Sequence, residues 1–145
     1  MIRILSKLNR FCSENKIEYT LTGTAALEIM GLPSTFKPGD IDIKLIAPTQ
    51  RQIDLLVQQQ RLSGLDNKEY DTLGGCISFY ICGCKVNALL ASDYARDEAL
   101  ANSQAIELID KETPYRFIVH VQKVNYALAD KMVLDVIKCI TSFIH

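Results

Sequence analysis

No apolar run in this chain is long enough to span a bilayer, and neither sign of charge prevails. The sequence holds 16 Lys and Arg against 17 Asp and Glu, a formal net charge of −1. The first absence excludes a membrane-spanning helix. The second excludes general electrostatic attraction to nucleic acid or to an anionic membrane, so nucleic acid is not an expected partner and an anionic ligand has to be held by a few placed groups. Histidine is scarce, with two in the chain, and none of the five cysteines forms a Cys-x-x-Cys pair. That spacing argues against a zinc site, and the thiols read as buried and reduced. The opening "MIRILSKLNRF" alternates charged and apolar residues, unlike a secretory signal, so the protein is expected in the cytoplasm. No linker, repeat or low-complexity tract divides the sequence, and 145 residues form one expected domain, 1–145.

What is present is a regular alternation of elements. Ile4, Leu5, Leu8, Phe11 and Cys12 recur at helical spacing, which predicts a first helix ending near "SENK". "IEYTLTG" alternates as a half-buried strand does, and "TAALEIMGLP" reads as a short helix closed by Gly31 and Pro33. "PSTFKPGD" is rich in turn formers and leads into the strand "DIDIKLI". Pro48 suits the first position of a helix carrying Ile53, Leu55, Leu56 and Val57 to Gly64. "LDNKEYDTLGG" reads as an exposed loop, and "CISFYICGCKVNALLA" as a hairpin turning at Gly83. Ser92 is placed to cap a helix in "SDYARDEALANS", "AIELI" and "RFIVHV" read as short strands around "DKETP", and "KVNYALADKMVLDVIKCITSFI" is the longest helical pattern. The expected fold is α/β (α+β): a mixed sheet flanked by helices, with a helical C-terminus.

Within this order, Asp40 and Asp42 stand out. A strand points alternate side chains to opposite faces, so both carboxylates share one face and Ile41, Ile43 and Leu45 take the other. Their Cα atoms lie about 7 Å apart, and the two groups repel unless a cation or hydrogen-bond donors sit between them. Mg²⁺ suits such a pair, since it is commonly held by one or two carboxylates together with substrate phosphates. The alternative is that Lys44, on the same face, neutralises Asp42 while Asp40 caps a turn after Gly39. Upstream, "LTGTAAL" runs a strand through Gly23 and Thr24 into a helix, where free backbone N–H groups favour a phosphate.

The stretch "YTLTGTAALEIMGLPSTFKPGDIDIKLI" resembles the signature of the DNA polymerase β-type nucleotidyltransferase superfamily. It is most similar to its minimal members, related to the kanamycin nucleotidyltransferases and to the toxins of nucleotidyltransferase toxin–antitoxin pairs. The resemblance covers residues 17–46 closely, and the hairpin 75–90 and the last helix more loosely. It implies a nucleotidyltransferase-like fold and transfer of a nucleoside monophosphate from a triphosphate such as ATP to an acceptor that the sequence does not name. Asp40 and Asp42 would be the catalytic, Mg²⁺-binding acids, and Gly23 and Thr24 the phosphate-binding turn. Lys131 on the last helix would neutralise the triphosphate, whereas Lys123 is expected on a solvated face. Two departures qualify this expectation. Thr22 stands where the family has the first glycine of its turn. Asn87 stands where the family has its third acid; it is expected as a third metal-site residue through its carbonyl oxygen, but an amide carries no charge and cannot act as a general base. Activity is therefore expected to be weak or lost, and the alternative expectation is a catalytically impaired domain that binds a nucleotide or a protein partner. His120 is expected to be a strand residue with a local partner, and Tyr80 and Tyr94 are candidates for stacking on a base.

Overall fold

The structure is a computed structural model that describes residues 1–31, 40–65, 75–90 and 96–129, together with positions 132, 136, 139 and 140. Tyr94, Lys131 and the predicted cap Ser92 lie outside the described residues. The elements run α1 (Ile2–Glu14), β1 (Tyr19–Thr22), α2 (Gly23–Ile29), β2 (Asp40–Leu45), α3 (Gln50–Leu62), β3 (Cys76–Ile81), β4 (Cys84–Leu89), α4 (Arg96–Ala101), β5 (Ser103–Asp110) and β6 (Tyr115–Gln122). Residues 124–129 open a fifth, C-terminal helix. The fold is mixed α/β, as expected.

The six strands form one sheet in the order β3-β4-β2-β1-β6-β5. β1 pairs with β2 antiparallel, β2 with β4 parallel and β1 with β6 parallel. The two hairpins, β3–β4 and β5–β6, close the edges with antiparallel pairs. Cross-strand partners share a face. One face therefore carries Ile77, Phe79, Val86, Ala88, Ile41, Ile43, Leu21 and Val121, all buried in a single hydrophobic core. Helix α1 lies on that face, where Phe11 meets Phe79 with ring centroids 6.1 Å apart. Its outer end is tied to the β5–β6 hairpin. Asn9 donates to the Tyr115 hydroxyl at 3.0 Å, Arg10 stacks 4.2 Å over the Tyr115 ring, and Arg3 pairs with Glu112.

Four expectations need correction. Pro48 lies outside α3. The helix is capped by Thr49, whose hydroxyl accepts from the Gln52 backbone while the Gln52 side chain accepts from the Thr49 backbone, a reciprocal pair that satisfies two of the helix's free donors. β1 is buried on both faces rather than half-buried: Thr20 and Thr22 on one face are as closed to solvent as Leu21 on the other. The strands around "DKETP" are longer than "AIELI" and "RFIVHV", since eight residues of each pair continuously in one hairpin. The cysteines form no disulfide, but only Cys12 and Cys76 are buried; Cys82 and Cys139 are exposed. Cys82 and Gly83 both have positive φ, 50° and 76°, which is the two-residue hairpin turn whose twist matches the strands.

Candidate functional site

The second face of the sheet differs in chemistry from the first. At one level a single transverse register crosses all six strands. Ser78 pairs with Asn87, Asn87 with Asp42, and Asp42 with Thr22. The Leu21–Val121 pair sets Thr22 beside Gln122, and Gln122 pairs with Ser103. Every residue in this row is polar. Five of the six are buried, with Ser78, Asn87 and Thr22 fully so. A buried polar group without a partner costs roughly 1–3 kcal/mol, so a wholly polar row persists inside a sheet only where its members satisfy one another.

Five of the six do so through side-chain hydrogen bonds, while Ser103 donates instead to the Ala99 carbonyl at 2.6 Å. Asn87 Nδ2 donates to Asp42 Oδ1 at 2.9 Å and to Asp40 Oδ2 at 3.1 Å, bridging the two carboxylates. The Ser78 hydroxyl donates to Asn87 Oδ1 at 2.6 Å, which fixes which end of the amide faces the acids. Further along the row, the Thr22 hydroxyl donates to Gln122 Oε1 at 2.5 Å. Lys85 pairs with Asp40 across β2 and β4, and Lys44 lies two residues beyond Asp42 on β2. Both lysines are half-buried on the acidic face. The Cys84 thiol, next to Lys85, is pushed above its ordinary range first by burial and then by the Asp40 carboxylate.

Gly23 meets this cluster from α2. Its φ of +65° lies in the left-handed region, and a Cβ there would sit 2.8 Å from Asp42 Oδ2. The turn therefore reaches the acid only because it carries no side chain. Thr22 supplies the N-cap of α2 in extended conformation but makes no side-chain cap bond, its hydroxyl being turned to Gln122. Thr24, the second residue of this seven-residue helix, is half-buried.

Of the residues singled out by sequence, the structure brings together Asp40, Asp42, Asn87 and the Gly23 turn. Asn87 lies in register with Asp42 on the neighbouring strand, the place expected for a third acid. Tyr80, paired with Lys85, is about half exposed at the hairpin edge. His120 is half-buried on β6 and lines a cavity of about 180 Å³ with Tyr19, Ile46 and Ile118, apart from the acids. A shallower groove of about 670 Å³, between the end of α1 and the start of α3, is lined by Glu14, Lys16, Arg51 and Asp54 and also lies away from them. Lys123 is exposed, as expected of a solvated lysine.

Sequence reasoning missed Ser78, Lys85, Thr22 as a network member, and Gln122. A signal for Ser78 was present, a lone hydroxyl in the otherwise apolar "CISFYI". Gln122 became visible only through the pairing of β1 with β6, which joins residues 100 positions apart.

The donor chemistry of the cluster is specific. Carboxylates offer lone pairs to a cation, but the Asn87 nitrogen that faces them offers only N–H groups, and its carbonyl oxygen is held by Ser78. Among the described residues no group of three or more His, Cys, Asp or Glu is arranged to hold a metal ion, and no helix is long and apolar enough to cross a membrane. Comparison of the chain with protein-family models, characterised proteins and solved structures gave no match.

Proposed function

We propose that this chain is a nucleotidyltransferase-like domain in which nucleotidyl transfer is lost or vestigial, and that its acidic face serves to bind a nucleotide or a protein partner. The observation that carries this reading is the position of Asn87. It pairs with Asp42 on the adjacent strand, where the resemblance calls for a third carboxylate to activate the acceptor, and its amide is committed to Asp40, Asp42 and Ser78. An amide in that position cannot take a proton from an attacking hydroxyl. The approach of Gly23 to Asp42 supports retention of the rest of the site, a turn and an acid pair placed against each other.

Pyrophosphate release is the first test, measured with ATP and GTP, Mg²⁺ and a panel of hydroxyl acceptors including small molecules and proteins. Release at background level in the wild type is expected. Release that disappears in Asp40→Ala would make the chain an active transferase instead, the reading favoured by the meeting of Asp40, Asp42 and Gly23 alone. Calorimetric titration with the same nucleotides, with and without Mg²⁺, then separates the two ligand classes. Heat of binding that is lost in Asp40→Ala assigns the face to a nucleotide, and no heat with any of these nucleotides would contradict a nucleotide site on this face.

A further inference from the structure

We infer that the Asn87 amide takes the place of a divalent cation in this chain, holding Asp40 and Asp42 together without metal and closing the acid pair to Mg²⁺. The inference rests on the reading of the site as nucleotidyltransferase-like and specifies its cofactor requirement.

Three features carry it. First, a cation seated between Asp40 Oδ2 and Asp42 Oδ1 would have to displace Asn87 Nδ2, which already stands within 3.1 Å of both. Mg²⁺ requires oxygen ligands in near-octahedral array, and a protonated amide nitrogen cannot be one of them. Second, the amide is not free to present its other end. Turning Oδ1 toward the acids would break both bonds to the carboxylates and reverse the bond from Ser78, at a residue that is fully buried. Third, the acidic face carries its own counter-charges. Lys85 opposite Asp40 and Lys44 beyond Asp42 set two cationic side chains against two anionic ones on the same face. The cluster is thus balanced in formal charge and supplied with donors by the chain alone.

The test uses Mn²⁺ as the probe and reads its free and bound fractions by electron paramagnetic resonance on the full chain, without nucleotide. The wild type is expected to bind no Mn²⁺ at the acid pair in the millimolar range. Asn87→Asp, which replaces the two donors by a third carboxylate, is expected to bind at least ten-fold more tightly than the wild type. Should that variant fail to fold, Asn87→Ser removes the amide nitrogen without adding charge, and a gain of Mn²⁺ binding is expected there as well. Binding by the wild type that vanishes in Asp40→Asn would overturn the inference, and so would a folded Asn87 variant with no gain. Because nucleotide is absent, a failure here is separable from a failure of the functional reading, which the pyrophosphate and calorimetric measurements test.

Discussion

Gly23 and Asp42 lie so close that a single methyl group on the glycine would come within 2.8 Å of the carboxylate oxygen. The contact joins the turn entering α2 to the strand bearing the acids, and it adds to a backbone conformation that already favours glycine at φ +65°. Gly23→Ala is therefore expected to cost about 1–3 kcal/mol from the left-handed backbone alone, with further loss from displacing Asp42. Urea denaturation should show a lower midpoint at unchanged slope. A midpoint equal to wild type would mean that the turn and the acid are not in contact.

Ser78→Ala removes the hydroxyl that donates to Asn87 Oδ1 at 2.6 Å. The amide oxygen would be left without that donor in a fully buried place, at a cost of about 1–3 kcal/mol. Ser78→Cys keeps a weak donor of similar size and should recover part of the loss. Thermal melts of the three proteins give the comparison, and equal melting temperatures for wild type and Ser78→Ala would contradict the network.

Thr49→Ala takes away the cap of α3 and is expected to lower stability by about 1 kcal/mol, as loss of an N-cap hydroxyl does. Pro48→Ala, one residue outside the helix, should change it less. If the two effects were reversed, the helix would start at Pro48.

Alkaline pH should destabilise the fold through two buried groups. Burial pushes the Cys12 thiol up from 9.0 to about 12. The Tyr19 phenol is also pushed well above its ordinary value of 10.0, first by burial and then by the charges of Cys12 and Tyr115. The unfolded chain releases these protons at a pH where the folded chain still holds them, so rising pH favours unfolding. The stabilisation is complete below about pH 9 and is lost as pH climbs toward 12, at on the order of 1 kcal/mol per pH unit for each group. Tyr19→Phe should flatten the decline above pH 10 while losing a 3.3 Å hydrogen bond to Asn9. A melting temperature constant from pH 9 to 12 would show that neither group stays protonated inside.

Local physics made much of this fold legible. The alternation in "DIDIKLI" gave β2 its two faces, the helical spacing of Leu5, Leu8 and Cys12 gave α1 its buried side, and the turn at Gly23 and the hairpin at Gly83 lie where glycine was expected. The resemblance put Asn87 on a strand neighbouring the acids, and the parallel pairing of β2 with β4 is what sets it opposite Asp42. The remainder is non-local. Nothing near Thr22 in the chain announces Gln122, and the order that puts β1 between β2 and β6 depends on pairings across most of the sequence. Pro48 misled because a reciprocal Thr49–Gln52 cap is a stronger start than a proline's fixed φ.

The most direct measurement of the central claim is the side-chain amide of Asn87 in a ¹⁵N–¹H spectrum of the wild-type protein, recorded with and without Mg²⁺. Two N–H bonds to Asp40 and Asp42 predict two separate, slowly exchanging proton signals that stay in place as Mg²⁺ is added. Signals that exchange rapidly with water, or that shift on adding Mg²⁺ in step with the backbone amides of β2, would show the acids turned toward a cation and contradict the account.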